Sequence, residues 1–145
     1  MIPTHIILHH SLTKDSKTVS WQAIRQYHMA ELGWRAIGYH YGIEMVSGFY
    51  EILKGRMDDE TGAHCRQDGM NRKSLGICCV GNYDVYAPDI TMMFKLKQLV
   101  RSLMHIHNIP AENIYPHSHF AKYKSCPGKL FPFERFINGI INGEE

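Results

Sequence analysis

Long apolar runs are missing from this chain. No stretch approaches the ~18 residues a membrane-crossing helix requires, so membrane insertion is not expected. The opening residues, MIPTHIILHH, carry no basic leader and no apolar segment of signal length ending in small residues. A protein made in the cytoplasm without a secretion signal is therefore expected, with its thiols free in a reducing compartment. Charge of one sign is also scarce. The net charge is +2 with histidine neutral, whereas a dedicated nucleic-acid binder shows a strong basic patch. The four cysteines, Cys65, Cys78, Cys79 and Cys126, include no Cys-x-x-Cys spacing, which removes the common structural zinc modules. Adjacent Cys78 and Cys79 suit a strand and make a poor disulfide pair. No internal repeat, low-complexity tract or linker is visible.

What is present is ordinary in bulk. In 145 residues, 44% are hydrophobic and 21% charged, enough apolar material for one core that needs neither disulfides nor a structural metal. One domain over residues 1–145 is the simplest organisation, and a monomer is expected. Histidine is the exception, with ten copies.

Residues 4–9, a β-branched apolar run, predict a buried strand, followed by the polar loop SLTKDSKTV. Ser20 can cap a helix over 21–32, with Trp21, Ile24, His28 and Leu32 on one side and Gly33 as the stop. A strand near 40–46, a turn at Ser47-Gly48 and a returning FYEILK strand read as a hairpin. Residues 55–74, rich in Gly, Asp, Asn and Arg, read as a long surface loop, and structured loops of that length usually carry function. SLGICCVG reads as a central strand whose two cysteines face opposite sides. Asp89 or Thr91 starts a long amphipathic helix to about residue 107. Ile114-Tyr115 is a short strand delivering PHSH, and residues 131–142 close the chain as a helix. The predicted fold is α/β, a single domain with a mixed central sheet flanked by helices.

The histidines cluster at strand ends, where sites form in layered α/β proteins. His9 and His10 close the first strand, and His117 and His119 follow another. Cys126 lies nine residues after His117. Imidazole and thiolate are ligands zinc prefers, and three of them with one open position make a catalytic site. Because neighbours on a strand point to opposite faces, only one of His9 and His10 can bind such a metal. His117 and His119 share a face only if that segment is extended.

Four segments occur in a telling order: IILHHS, GWRAIGYHYGI, TGAHCRQDGMNRKSLGICCVGNYD and PHSHFAKYKSCPG. Together they resemble the type-2 N-acetylmuramoyl-L-alanine amidases, a family of phage endolysins, cytosolic cell-wall recycling amidases and peptidoglycan recognition proteins. The resemblance spans roughly residues 4–130. It implies a recognition-protein-like fold and a Zn2+ site of His9, His117 and Cys126. It also implies Tyr39 and Lys124 as catalytic side chains and His64 on the rim of the substrate cleft. In the loop, Asn71, with Arg66 and Arg72, is a candidate substrate contact. Where many relatives carry His-Arg-Asp this chain has His117-Ser118-His119, which leaves His119 as an alternative ligand. The implied activity is hydrolysis of the amide between N-acetylmuramic acid and L-alanine in peptidoglycan by a phage or prophage endolysin acting on the wall after release. The wall-binding repeats of many endolysins are missing, so a bare catalytic domain is expected. The alternatives are a cytosolic recycling amidase acting on soluble muropeptides and a non-catalytic peptidoglycan-binding module. The zinc cysteine is typically replaced in the latter, and Cys126 argues against it.

Overall fold

The computed structural model describes residues 1–12 and 21–144. The expected Ser20 cap lies outside the described residues, as does most of the polar loop before it.

The first strand, β1, runs His5–His10. Helix α1, Trp21–Gln26, widens into a π-turn at Tyr27–Glu31. The hairpin is β2, Tyr41–Val46, and β3, Phe49–Lys54. Strand β4 is Ser74–Cys79 and helix α2 is Ile90–His107. Then come β5, Ile114–Pro116, the single turn α3, His117–Phe120, and α4, Phe133–Ile141. Among the described residues the strands form one sheet in the order β3-β2-β4-β1-β5. Strands β2, β4, β1 and β5 are parallel and β3 is antiparallel to β2, so the sheet is mixed, as the strand and helix pattern predicts.

Strand β4 lies between β2 and β1, and all six of its residues are buried. That is why it reads as a continuous apolar run rather than an alternating one. Its two cysteines diverge as strand geometry requires. Cys79 joins the main core with Leu96, Val100 and Phe136, and Cys78 packs with Trp21 and Ile37 on the other side. Helix α2 buries Met92, Leu96, Leu99, Val100 and Leu103 and starts at Asp89, whose side chain accepts a hydrogen bond from the Thr91 N–H. Each of those large side chains contributes ~1.5–3 kcal/mol by leaving water. The hairpin turns on Ser47 (φ +53°) and Gly48 (φ +89°), a left-handed pair whose twist matches the flanking strands.

Two local expectations change. Leu32 is 43% exposed rather than on the packed side of its helix. The last turn bonds Leu32 N–H to the Tyr27 carbonyl, five residues back, and this wider turn rotates Leu32 away. Residues 55–74 lie only partly on the surface: Met57, Asp59, Thr61, Arg66, Asp68, Arg72 and Lys73 are exposed, and Gln67–Arg72 forms a 3-10 turn. Arg56, His64, Cys65 and Met70 within it are buried. The Arg56 guanidinium ties the segment down by donating to the carbonyls of Ile37 (3.0 Å) and Thr61 (2.7 Å). Arg56 and Asn71 satisfy backbone groups inside the fold, while the other charged residues of the segment largely face water.

Candidate metal centre

The site forms where the parallel strands β1 and β5 end. The pleat sends His9 and His10 to opposite sides. His10 Nδ1 accepts the Tyr83 N–H at 3.1 Å, and its Nε2 has no partner among the described residues. His9 instead meets His117, with ring centroids 4.4 Å apart. His117 opens α3 directly after β5 rather than closing an extended segment. In a helical turn residues two apart diverge, so His119 swings outward and stacks on Tyr115 at 4.4 Å. Cys126 returns to His117 because the Ser118 N–H donates to the Cys126 carbonyl at 2.8 Å.

The ligand atoms of His9, His117 and Cys126 lie within 4.8 Å of one another, and all three residues are buried. Cys126 Sγ is 3.8 Å from His9 Nδ1. Zinc bonds of ~2.1 Å to nitrogen and ~2.3 Å to sulfur in a tetrahedron put such a pair about 3.5 Å apart, so the donors fit that ion with small adjustment. The His10 N–H donates to Cys126 Sγ at 3.3 Å, a bond that favours the thiolate a metal requires.

Electrostatics keep the imidazole lone pairs available. Burial, then the neighbours His64, His117 and Lys124, drives His9 well below the usual histidine range. Burial, with Lys124, lowers His117 to about 4. Burial pushes the Cys126 thiol up to about 12 despite the opposing His10 N–H and Lys124; a bound divalent cation would favour the thiolate.

The three residues open onto a cavity of about 630 Å³, also lined by Tyr39, His64, Arg66, Asn71, Lys124, His28 and Trp34. Tyr39 packs on His9 with ring centroids 5.1 Å apart. Burial and the adjacent Cys78 raise its phenol well above the usual value, which favours the protonated form. Lys124 is exposed on the rim, its ammonium 5.8 Å from the Tyr123 ring. Asn71 lines the cavity, but its Oδ1 accepts the N–H groups of His64 (2.7 Å) and Cys65 (2.8 Å). His64 is only 9% exposed and touches His9. The His28–Trp34 wall, with ring centroids 4.6 Å apart, carries no signal in the sequence, because only folding brings it to the cavity.

Residues 1–129 match the model of the N-acetylmuramoyl-L-alanine amidase family, and the chain belongs to that family. It is 31% identical over 137 residues to the endolysin of Enterobacteria phage K11, covering 92% of this chain and 85% of that one. With the endolysin of Klebsiella phage KP32 it shares 36% identity over 102 residues, 70% of this chain and 64% of the relative. The chain therefore spans less than two thirds of the length of that relative. The N-acetylmuramoyl-L-alanine amidase LysC from Clostridium intestinale URNW has a similar fold, with a TM-score of 0.81 at 28% identity over 99% of this chain and 87% of that one. The mixed five-stranded sheet with its helices is thus the amidase fold.

Proposed function

We propose that this chain is a zinc-dependent N-acetylmuramoyl-L-alanine amidase that cleaves the bond between the lactyl group of N-acetylmuramic acid and L-alanine, acting as a phage or prophage endolysin. The observation that carries the reading is the convergence of His9, His117 and Cys126 at the floor of a cavity rimmed by Tyr39 and Lys124. Family membership and the endolysin relatives support it.

His9 Nδ1, a His117 ring nitrogen and Cys126 Sγ would hold the zinc, leaving the cavity side open. In such a three-ligand site zinc acts as a Lewis acid and brings the pKa of a water molecule toward ~7. The chain itself supplies donors for the charge that develops on the amide oxygen. Tyr39 and Lys124 both line the cavity, and one well-aimed donor is worth ~3 kcal/mol of barrier. Lys124 and Arg66 are the charged side chains among the described cavity residues, which suits a stem peptide bearing carboxylates. Residues 1–145 act in this reading as one catalytic unit and as a monomer.

The test is release of new alanine amino termini from purified sacculi and, separately, from soluble muropeptides, using zinc-loaded and chelator-stripped protein. Alanine amines that appear only with zinc, without new reducing sugar ends, support the amidase. Sedimentation with the wall and no cleavage in either form would leave a binding module. Cleavage confined to soluble fragments would make it a recycling enzyme.

A further inference from the structure

His64 is the buried imidazole nearest the three candidate ligands, and both its nitrogens are engaged within the protein. Nδ1 lies 2.9 Å from His9 Nε2, and Nε2 lies 3.3 Å from the Ser74 carbonyl oxygen. A carbonyl only accepts, so the His64 proton sits on Nε2. The nearby Ser74 hydroxyl donates to the Met70 carbonyl at 2.6 Å and cannot supply a competing proton. His64 Nδ1 is then a bare acceptor, and His9 must donate to it from Nε2–H. A neutral imidazole has one proton, so His9 Nδ1 is left with its lone pair beside Cys126 Sγ, 3.8 Å away.

The ring sits close against two glycines. A Cβ at Gly76 would lie 2.5 Å from His64 Cγ, and one at Gly62 would lie 2.6 Å from Cδ2. The imidazole therefore fills a slot between two glycines, with its backbone N–H anchored to Asn71 Oδ1 at 2.7 Å.

We propose that His64 is a positioning residue: the relay Ser74 carbonyl, His64, His9 selects the His9 tautomer and ring orientation that present Nδ1 to the metal. Partners of this kind behind a metal-bound histidine fix its tautomer and raise its basicity, and losing one typically weakens metal binding ~10–100-fold. Substrate recognition by His64 would need a free ring nitrogen, and both are occupied.

The inference rests on the zinc reading above and is tested by zinc affinity, measured against a chromophoric chelator, for wild type, His64→Leu and His64→Asn. The Asn carboxamide oxygen can stand near the Nδ1 position. His64→Leu is expected to bind zinc ~10–100-fold more weakly, with His64→Asn recovering most of that loss. Equal affinity in all three overturns the relay, as does a substrate KM that rises in His64→Leu with unchanged zinc affinity. Wild type that binds no zinc would instead sink the zinc reading. Long-range nitrogen–proton spectra of the zinc-loaded wild type give a check that needs no variant to fold. They should show protons on Nε2 of both His9 and His64, and a proton on His64 Nδ1 would overturn the proposal.

Discussion

The His64 ring occupies the place where any residue other than glycine at position 76 would put its first side-chain carbon, 2.5 Å from Cγ. The contact joins the middle of the central strand to the floor of the candidate metal site. Gly76 is buried in β4, so a side chain there has to displace the ring.

Gly76→Ala should therefore cost stability and disturb the site together. Overpacking of this kind costs ~1–3 kcal/mol, and here the displaced group is the one behind His9. A lower melting temperature with weakened zinc binding is expected. A variant that melts lower yet binds zinc as tightly as wild type would show that the ring can shift without carrying His9 along.

Cys126→Ser replaces the sulfur donor by a hydroxyl that is far harder to ionise. Zinc affinity and amidase activity should fall together by more than about 100-fold, beyond what loss of an outer hydrogen-bond partner costs. Prolonged chelation of the wild type should mimic the activity loss, and added zinc should reverse it. Full activity after verified metal removal is the outcome that refutes the metal-dependent reading.

Tyr39→Phe and Lys124→Ala each remove one donor and leave the three candidate ligands in place. Each is expected to lower kcat by ~10²–10³-fold while zinc affinity stays at the wild-type value. Because burial and Cys78 hold the Tyr39 phenol protonated, the Tyr39-dependent part of the rate should not decline through the ordinary tyrosine range. Wild-type kcat in either variant removes that residue from the mechanism.

Acid stability should depend on Asp58, which lines a cavity separate from the metal site. Its carboxylate accepts from the Tyr41 hydroxyl (2.6 Å), Lys54 Nζ (2.5 Å) and His107 Nε2 (2.8 Å). Partial burial alone would raise its pKa, but those three bonds outweigh it and hold Asp58 at about 2, below its ordinary 3.8. A depressed carboxylate stabilises the fold fully above its unfolded pKa, and that contribution fades as pH falls through the folded one. Between about pH 4 and pH 2 the wild type should thus lose more stability than Asp58→Asn, which should start lower at pH 7. Parallel unfolding curves for the two proteins across that window would falsify the assignment.

Much of the architecture could be read directly. The six buried residues of β4, the apolar stripe of α2 with Asp89 at its start, and the Ser47-Gly48 turn are local features. Burial on both faces, a 3.6-residue period and a left-handed turn each leave a mark within a few residues of chain. The π-turn that exposes Leu32 leaves none, since one shifted hydrogen bond changes no residue type. The segment 55–74 misleads for a different reason. Polar composition looks the same whether side chains face water or, like Arg56 and Asn71, pair with backbone groups inside the protein.

The sequence by itself determined the ligand types, the strand endings that carry them and, through the order of four motifs, the resemblance to the amidase family. Strand alternation alone required that His9 and His10 part company. Only the tertiary structure decided that His117 and not His119 faces His9, because α3 begins at His117 and a helical turn separates residues two apart. Only it put His64 behind His9, 55 residues away in sequence, with both ring nitrogens occupied. Contacts of that kind depend on which strands become neighbours. In this chain that is decided by the parallel register of β1 with β4, not by any short stretch of residues.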